Sequence, residues 1–317
     1  MKKKYLLGAL VIIVLICSIY FLKTNDNQYY NPANEEKFIN IENIEHPEFS
    51  YLLETYLKLE TSGLMVSFDR TENTENYQSL GNGNYEMYAT MQDVSQPEEL
   101  YTRSPNMIFT IEKNLLKFDE LEEGVLSRDF NEFVIPELTI PTDIHQSESY
   151  QTLQKMDYDV DVSISFADYV SFEDITAFMK NCDNTQFVWL AIDNVDRGNM
   201  HPLGLTLLKE TYTTPFTEEA NQAYPNLSLV DEEIYDAQKL KQSYISKLKL
   251  LKDHPNFLEL MPDAVMPNDI QPDIIDELYN DALNNNSCYG IRLITNSKNV
   301  LSLIDKFDVS QIYIHEN

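Results

Sequence analysis

Eighteen consecutive residues, Tyr5 to Leu22, carry no charge, and this run constrains the chain more than any other feature. Lys2, Lys3 and Lys4 precede it and Lys23 follows it. As a helix rising about 1.5 Å per residue it would reach about 27 Å, close to the thickness of a bilayer's hydrocarbon core. Three lysines before the run against one after it predict a cytoplasmic amino terminus and an outward-facing remainder. A cleaved signal peptide would have an apolar region of about 7–15 residues and small residues at its cleavage site. Here the exit is Cys17-Ser18-Ile19-Tyr20-Phe21-Leu22, which is bulky. A lipoprotein would use Cys17, but Ile16 stands where a small residue is required. Residues 1–23 are therefore expected to be a cytoplasmic tip and a retained single-span anchor in the cell membrane.

The first 23 residues hold four lysines and no acids, leaving 19 basic against 52 acidic side chains beyond them, a balance of −33. Such a surface repels phosphate backbones, so nucleic acid is excluded as a partner. It also disfavours approach to an anionic membrane. Cys182 and Cys288 are the cysteines outside the span. They could form one bridge, but two cysteines do not make a disulfide scaffold, so stability must come from an ordinary core.

Residues 24–40 are polar and Asn-rich and read as a stalk. Residues 41–150 read as a β-rich membrane-proximal module. Apolar residues recur at three- and four-residue steps from Ile41 to Leu59, which predicts an amphipathic helix starting after Pro47. Strands are predicted at 63–68, 85–91 and 106–111, with a turn signal at Asn82-Gly83. Phe133 to Pro141 reads as an edge strand or extended linker, because prolines stand at 136 and 141.

A second domain is expected over 151–317. Val160, Val162, Ile164 and Phe166 alternate with Asp159, Asp161, Ser163 and Ser165, which predicts a half-buried strand with a solvated polar face. Ser171 and Asp174 form a near capping box for a helix to about Asn181, and 186–192 is a continuous apolar strand. Strand 288–294, helix 298–307 and strand 309–314 repeat the unit. Helices at about 231–252 and 273–283 lie between. The expected class is α/β, with α+β as the alternative: one sheet of two strand–helix–strand units with inserted helices. The near-repeat is either a pseudo-duplication or two common units sharing a sheet.

No catalytic, metal-binding or cofactor-binding set can be assembled from motifs. There is no His-Glu-x-x-His, no Gly-x-Ser-x-Gly and no Gly-rich phosphate loop. His46, His145, His201, His254 and His315 are scattered. Ser246-Lys247-Leu248-Lys249 matches Ser-x-x-Lys without the Lys-Thr-Gly that should accompany it. Asp193, Asp196 and Asn199 around Gly198 invite comparison with a calcium loop, but Val195 and Arg197 occupy ligand positions. Asp157, Asp159 and Asp161 read as an acidic solvated face, and Trp189 as core in preference to a ligand platform.

Val162-x-Ile164-x-Phe166, Phe172-Glu173-Asp174 and Val188-Trp189-Leu190-Ala191-Ile192-Asp193 resemble the first part of the sigma factor regulator C-terminal domain. Leu248-Lys249-Leu250-Leu251, Tyr289-Gly290-Ile291-Arg292-Leu293-Ile294-Thr295 and Val300-Leu301-x-Leu303 resemble its second part, so the likeness covers about 155–317. The resemblance implies a membrane-anchored, non-catalytic regulator of extracytoplasmic-function sigma factors in Gram-positive bacteria. It implies no ligand residues. Such regulators hold the sigma factor through a cytoplasmic segment, whereas Met1 to Lys4 alone precede the span here. The expected partner is therefore an integral membrane protein, such as a full-length anti-sigma factor. The span has no Gly-x-x-x-Gly pattern, so the outer domain is the expected contact. The alternative function is an extracytoplasmic binding module for a cell-wall or surface partner.

Overall fold

The computed structural model describes residues 29–315, apart from 42–43, 48, 63, 68–76, 94–105, 120–131, 141–142, 193–201, 209–215, 231, 262–269 and 286. The apolar run Tyr5–Leu22 and the loop around Gly198 lie outside the described residues. Among those described, no helix is long and apolar enough to cross a membrane.

The protein is mixed α and β, with two five-stranded antiparallel sheets and eight α-helices among the described residues. A short hairpin, β1 (Lys37–Ile41) and β2 (Ile44–Pro47), leads into helix α1 (Phe49–Glu60). Every residue of α1 is buried. A helix wrapped on all sides needs its polar groups satisfied internally. Glu54 pairs with Lys58 at 2.7 Å, Thr61 Oγ1 donates to the Leu57 carbonyl, and Glu60 accepts from the Ile270 N–H at 2.9 Å.

The first sheet contains β3 (Leu64–Ser67), β4 (Tyr77–Gly81), β5 (Asn84–Asp93), β6 (Asn106–Glu112) and β7 (Leu116–Asp119). Its order is β3-β5-β6-β7, and β4 pairs with the start of β5. The predicted turn joins β4 to β5: Asn82 has φ 55° and Gly83 φ 75°, the left-handed pair that a tight hairpin favours.

Helix α2 (Glu148–Leu153) precedes the second sheet, which is built from β8 (Asp159–Ser171), β9 (Gln186–Ile192), β10 (Gly204–Thr206), β11 (Ser287–Asn296) and β12 (Val309–Ile314). Helix α3 (Phe172–Met179) joins β8 to β9. Between β10 and β11 lie α4 (Glu218–Ala223), α5 (Ala237–Asp253), α6 (Pro255–Leu258) and α7 (Ile275–Asn284), and α8 (Ser297–Lys306) joins β11 to β12. The order is β10-β9-β11-β8-β12. Each strand–helix–strand unit therefore accommodates one strand of the other unit between or beside its own. This interleaving is the ferredoxin-like arrangement of two split units, extended by β10.

Both expected units are present in one sheet, which interleaving makes wholly antiparallel. Ser171 caps α3 by accepting from the Asp174 N–H at 3.1 Å, as the capping box predicts. The helix expected from about 231 begins at Ala237, because the Asp236 carboxylate accepts from the N–H groups of Gln238 and Lys239 and starts it there. Residues 133–135 form no strand and Pro136–Leu138 forms a single 3-10 turn, so of the two expected readings, edge strand or extended linker, the described residues have the linker. Cys182 and Cys288 are free thiols.

Two packing relationships bear on the organisation of the chain. The boundary drawn near Tyr150 runs through one hydrophobic core, which joins Phe49, Leu53, Tyr56, Phe109 and Leu116 to Ile164, Leu190, Leu251 and Leu293. The stalk expected over 24–40 is docked from Tyr29 onward: Pro32 is buried, and the Tyr30 ring packs 5.7 Å from Phe49. Composition marked both as polar or separate because it records no long-range packing.

Candidate functional site

The helices α3 and α8 cover the face of the second sheet that carries Val160, Val162, Ile164 and Phe166. The opposite face bears Asp161, Ser163 and Ser165, and the alternation predicts that it meets water. All three are buried instead, Ser163 at 0% exposure. The cover is a strap, residues 132–138, crossing this face.

Arg292 on β11 organises the site. It stands opposite Ser163 in the β11–β8 register and two residues along from the position opposite Asp161, on the same face. Its Nε donates to Asp161 Oδ1 at 3.0 Å and its Nη2 to Asp161 Oδ2 at 2.6 Å, a bidentate pair with both partners buried. The Nη1 atom is 3.9 Å from Glu132 Oε1. Glu132 accepts from Ser62 Oγ at 2.6 and 2.7 Å and from Ser163 Oγ at 2.6 Å. His315 Nε2 lies 2.9 Å from Ser163 Oγ and 3.5 Å from Glu132 Oε1.

The strap's other contacts continue this pattern. The Val134 N–H donates to Ser165 Oγ at 3.0 Å, and the Tyr169 hydroxyl donates to Glu137 at 2.9 Å. Phe133 packs on Trp189 with ring centroids 5.5 Å apart. Trp189 is buried core, and its Nε1–H donates to the Lys58 carbonyl at the end of α1. Residues from α1, the strap and three strands thus converge on one interior surface.

Burial alone would raise the carboxyl of Glu132. The hydrogen bond to His315, the charge of Arg292 and the hydroxyls of Ser163 and Ser62 outweigh it and hold Glu132 below the usual carboxylate range. Serine, histidine and glutamate in contact invite comparison with a catalytic triad. The geometry differs: Ser163 and Glu132 both meet the same nitrogen of His315, so the ring cannot relay between them. Ser163 is also sealed from solvent. Chemically, the arrangement fastens the strap to the sheet.

The other residues singled out by sequence are not brought together. Ser246 Oγ donates to the Pro225 carbonyl and Lys249 to Asp253, so the Ser-x-x-Lys pair faces two different partners. Asp157 is an exposed partner of Lys298 at 2.7 Å. Asp159 is exposed, as the solvated-face reading expected, whereas Asp161 is not. His145 packs on Tyr150, and His254 Nδ1 lies 2.7 Å from the Leu250 carbonyl. The side chain of His46 and all of His201 lie outside the described residues. Among the described residues, no group of three or more His, Cys, Asp or Glu has metal-binding geometry. Burial pushes the Cys288 thiol up, which keeps it protonated and unreactive.

Sequence reasoning passed over Glu132 and Arg292. An arginine flanked by Ile291 and Leu293 in an apolar strand is a signal for a buried partner, and the Asp161 alternation held the other half of it. Glu132 carried no signal, since it follows an acidic stretch and reaches the sheet only through the fold. No family model, no curated protein and no solved structure matches this chain.

Proposed function

We propose that this chain is a non-catalytic, membrane-tethered extracytoplasmic regulator that acts through protein contacts in envelope-stress signalling. The observation that carries this reading is the use made of the charged network around Arg292. Glu132, Asp161, Ser163 and His315 join a crossing strap to a sheet, and they are spent on holding a conformation. A fold whose internal ion pairs connect distant segments is suited to transmitting contact. The uncharged run Tyr5–Leu22 supports the tether, and the resemblance over about 155–317 supports the signalling role. The partner in this reading is an integral membrane protein, a full-length anti-sigma factor being the form that the resemblance favours.

The test is photocrosslinking from the outer domain in intact cells, combined with a transcriptional reporter for extracytoplasmic-function sigma factors. Residues 1–23 are first replaced by an unrelated span of the same orientation. Retention of crosslinks to a membrane protein and of the reporter effect is expected. Loss of both, with the protein abundant and correctly oriented, makes the native span the contact. Crosslinks to wall polymer without a reporter effect would instead favour the binding-module alternative.

A further inference from the structure

The chain enters the fold between two turns of the first sheet. The Tyr29 ring lies against Gly83, where an added Cβ would come within 2.4 Å of Tyr29 Cγ. The Tyr30 N–H donates to Asn114 Oδ1 at 2.6 Å. Gly83 belongs to the β4–β5 turn and Asn114 to the β6–β7 turn. The two turns are neighbours: Asn84 pairs with Glu112, and the Lys113 N–H donates to the Gly83 carbonyl at 3.3 Å. Buried Pro32 and the contact between Tyr30 and Phe49 fasten this entry point to the core.

Six residue steps separate Tyr29 from Lys23, the residue that follows the uncharged run. Even a fully extended chain covers only about 20 Å in six steps. Whatever path residues 24–28 take, the two turns cannot lie farther than that from the end of the run. The turns also carry exposed apolar side chains, Leu80 at 55% and Leu115 at 42%. Residues 79–84 hold no charge, and 112–117 hold Lys113 and Lys117 against Glu112 alone. The two turns themselves therefore carry little of the acidity that marks the rest of the domain, Lys117 being paired with Glu112 and Lys113 adding a positive charge.

Resting on the single-span reading given above, we infer that the β4–β5 and β6–β7 turns form a lipid-facing surface. Leu80 and Leu115 seat in the headgroup layer beside the tether, with Lys113 toward the lipid phosphates. The contact fixes the domain's orientation at the membrane.

The test uses the full chain, with Cys17→Ala and Cys182→Ser, reconstituted alone into lipid nanodiscs that contain a headgroup-attached spin-label quencher. Buried Cys288 is left in place. A fluorophore is attached through Leu80→Cys, Leu115→Cys, Tyr158→Cys or Leu283→Cys, all four being exposed positions. Quenching several-fold stronger at 80 and 115 than at 158 and 283 is expected. Equal quenching at the four sites, in a chain that stays with the disc, overturns the lipid-facing surface and leaves the anchor standing. A chain that does not co-isolate with the disc overturns the anchor reading, and the surface with it.

Discussion

Phe133 occupies the space that a side chain at Gly290 would fill: a Cβ there would lie 2.5 Å from Phe133 Cδ1 and 2.8 Å from the Ile164 carbonyl. The strap is thus seated on the sheet by an absence of side chain as well as by its polar contacts. Gly290→Ala should destabilise the protein by about 1–3 kcal/mol through overpacking. Phe133→Ala removes one of the two clashes, so the double variant should lose less than the sum of the singles. Chemical denaturation of the four proteins measures this; strict additivity would mean that the strap does not press on Gly290.

Arg292 and Asp161 form a buried bidentate pair whose members depend on each other. Arg292→Met should cost about 3–5 kcal/mol, because it removes both guanidinium hydrogen bonds from the buried Asp161 carboxyl. Adding Asp161→Leu should recover a large part of that loss. A single substitution that costs less than about 1 kcal/mol in urea denaturation would show that water reaches Asp161.

Stability should depend on pH through Glu132. Its folded-state pKa is depressed, chiefly by the hydrogen bond to His315 and the charge of Arg292 acting against burial. The carboxylate's contribution is therefore fully present above the unfolded-state pKa of about 4.3, and is lost as pH falls through the lower folded value. Glu132→Gln should remove that part of the acid slope while lowering stability at pH 7. Unfolding free energies for both proteins between pH 7 and strong acid decide it, and parallel curves would contradict the assignment.

A chain starting at Tyr150 should fail to unfold cooperatively. It lacks α1, whose Lys58 carbonyl accepts from Trp189, and it lacks the strap over the Asp161 face. Dye binding to exposed apolar surface and the absence of a sharp thermal transition are the expected results. Within the whole protein, Trp189→Ala should cost about 3–5 kcal/mol, the range for removing a large buried aromatic. A cooperative, monomeric 150–317 fragment would restore the boundary that composition placed there.

Periodicity by itself located β8, β9, β11 and β12 and the helices α3, α5, α7 and α8, whereas β10, α2, α4 and α6 are too short to show a period. The alternation from Asp159 to Phe166, the Ser171 cap and the apolar run Phe187–Ile192 are local signals, and local backbone geometry reads them directly. The Asn82-Gly83 turn was legible for the same reason, since few residue pairs accept left-handed backbone. The burial of the polar face was decided only by tertiary structure. Alternation says that two faces differ, and a sheet covered on one side leaves the other to water by default. Here residues 132–138, brought across from more than twenty positions upstream of β8, cover it, and Arg292 pairs with Asp161 and adds its charge to the groups that hold Glu132 ionised beneath. Helix α1 followed the same logic. Its three- and four-residue spacing predicted a helix with one wet face, yet the chain packs both sheets and α5 around it, and the Glu54–Lys58 pair becomes interior. Charge, cap and turn are properties of neighbours in sequence. Which polar groups are sheltered depends on which distant segment lies over them, and that required the fold.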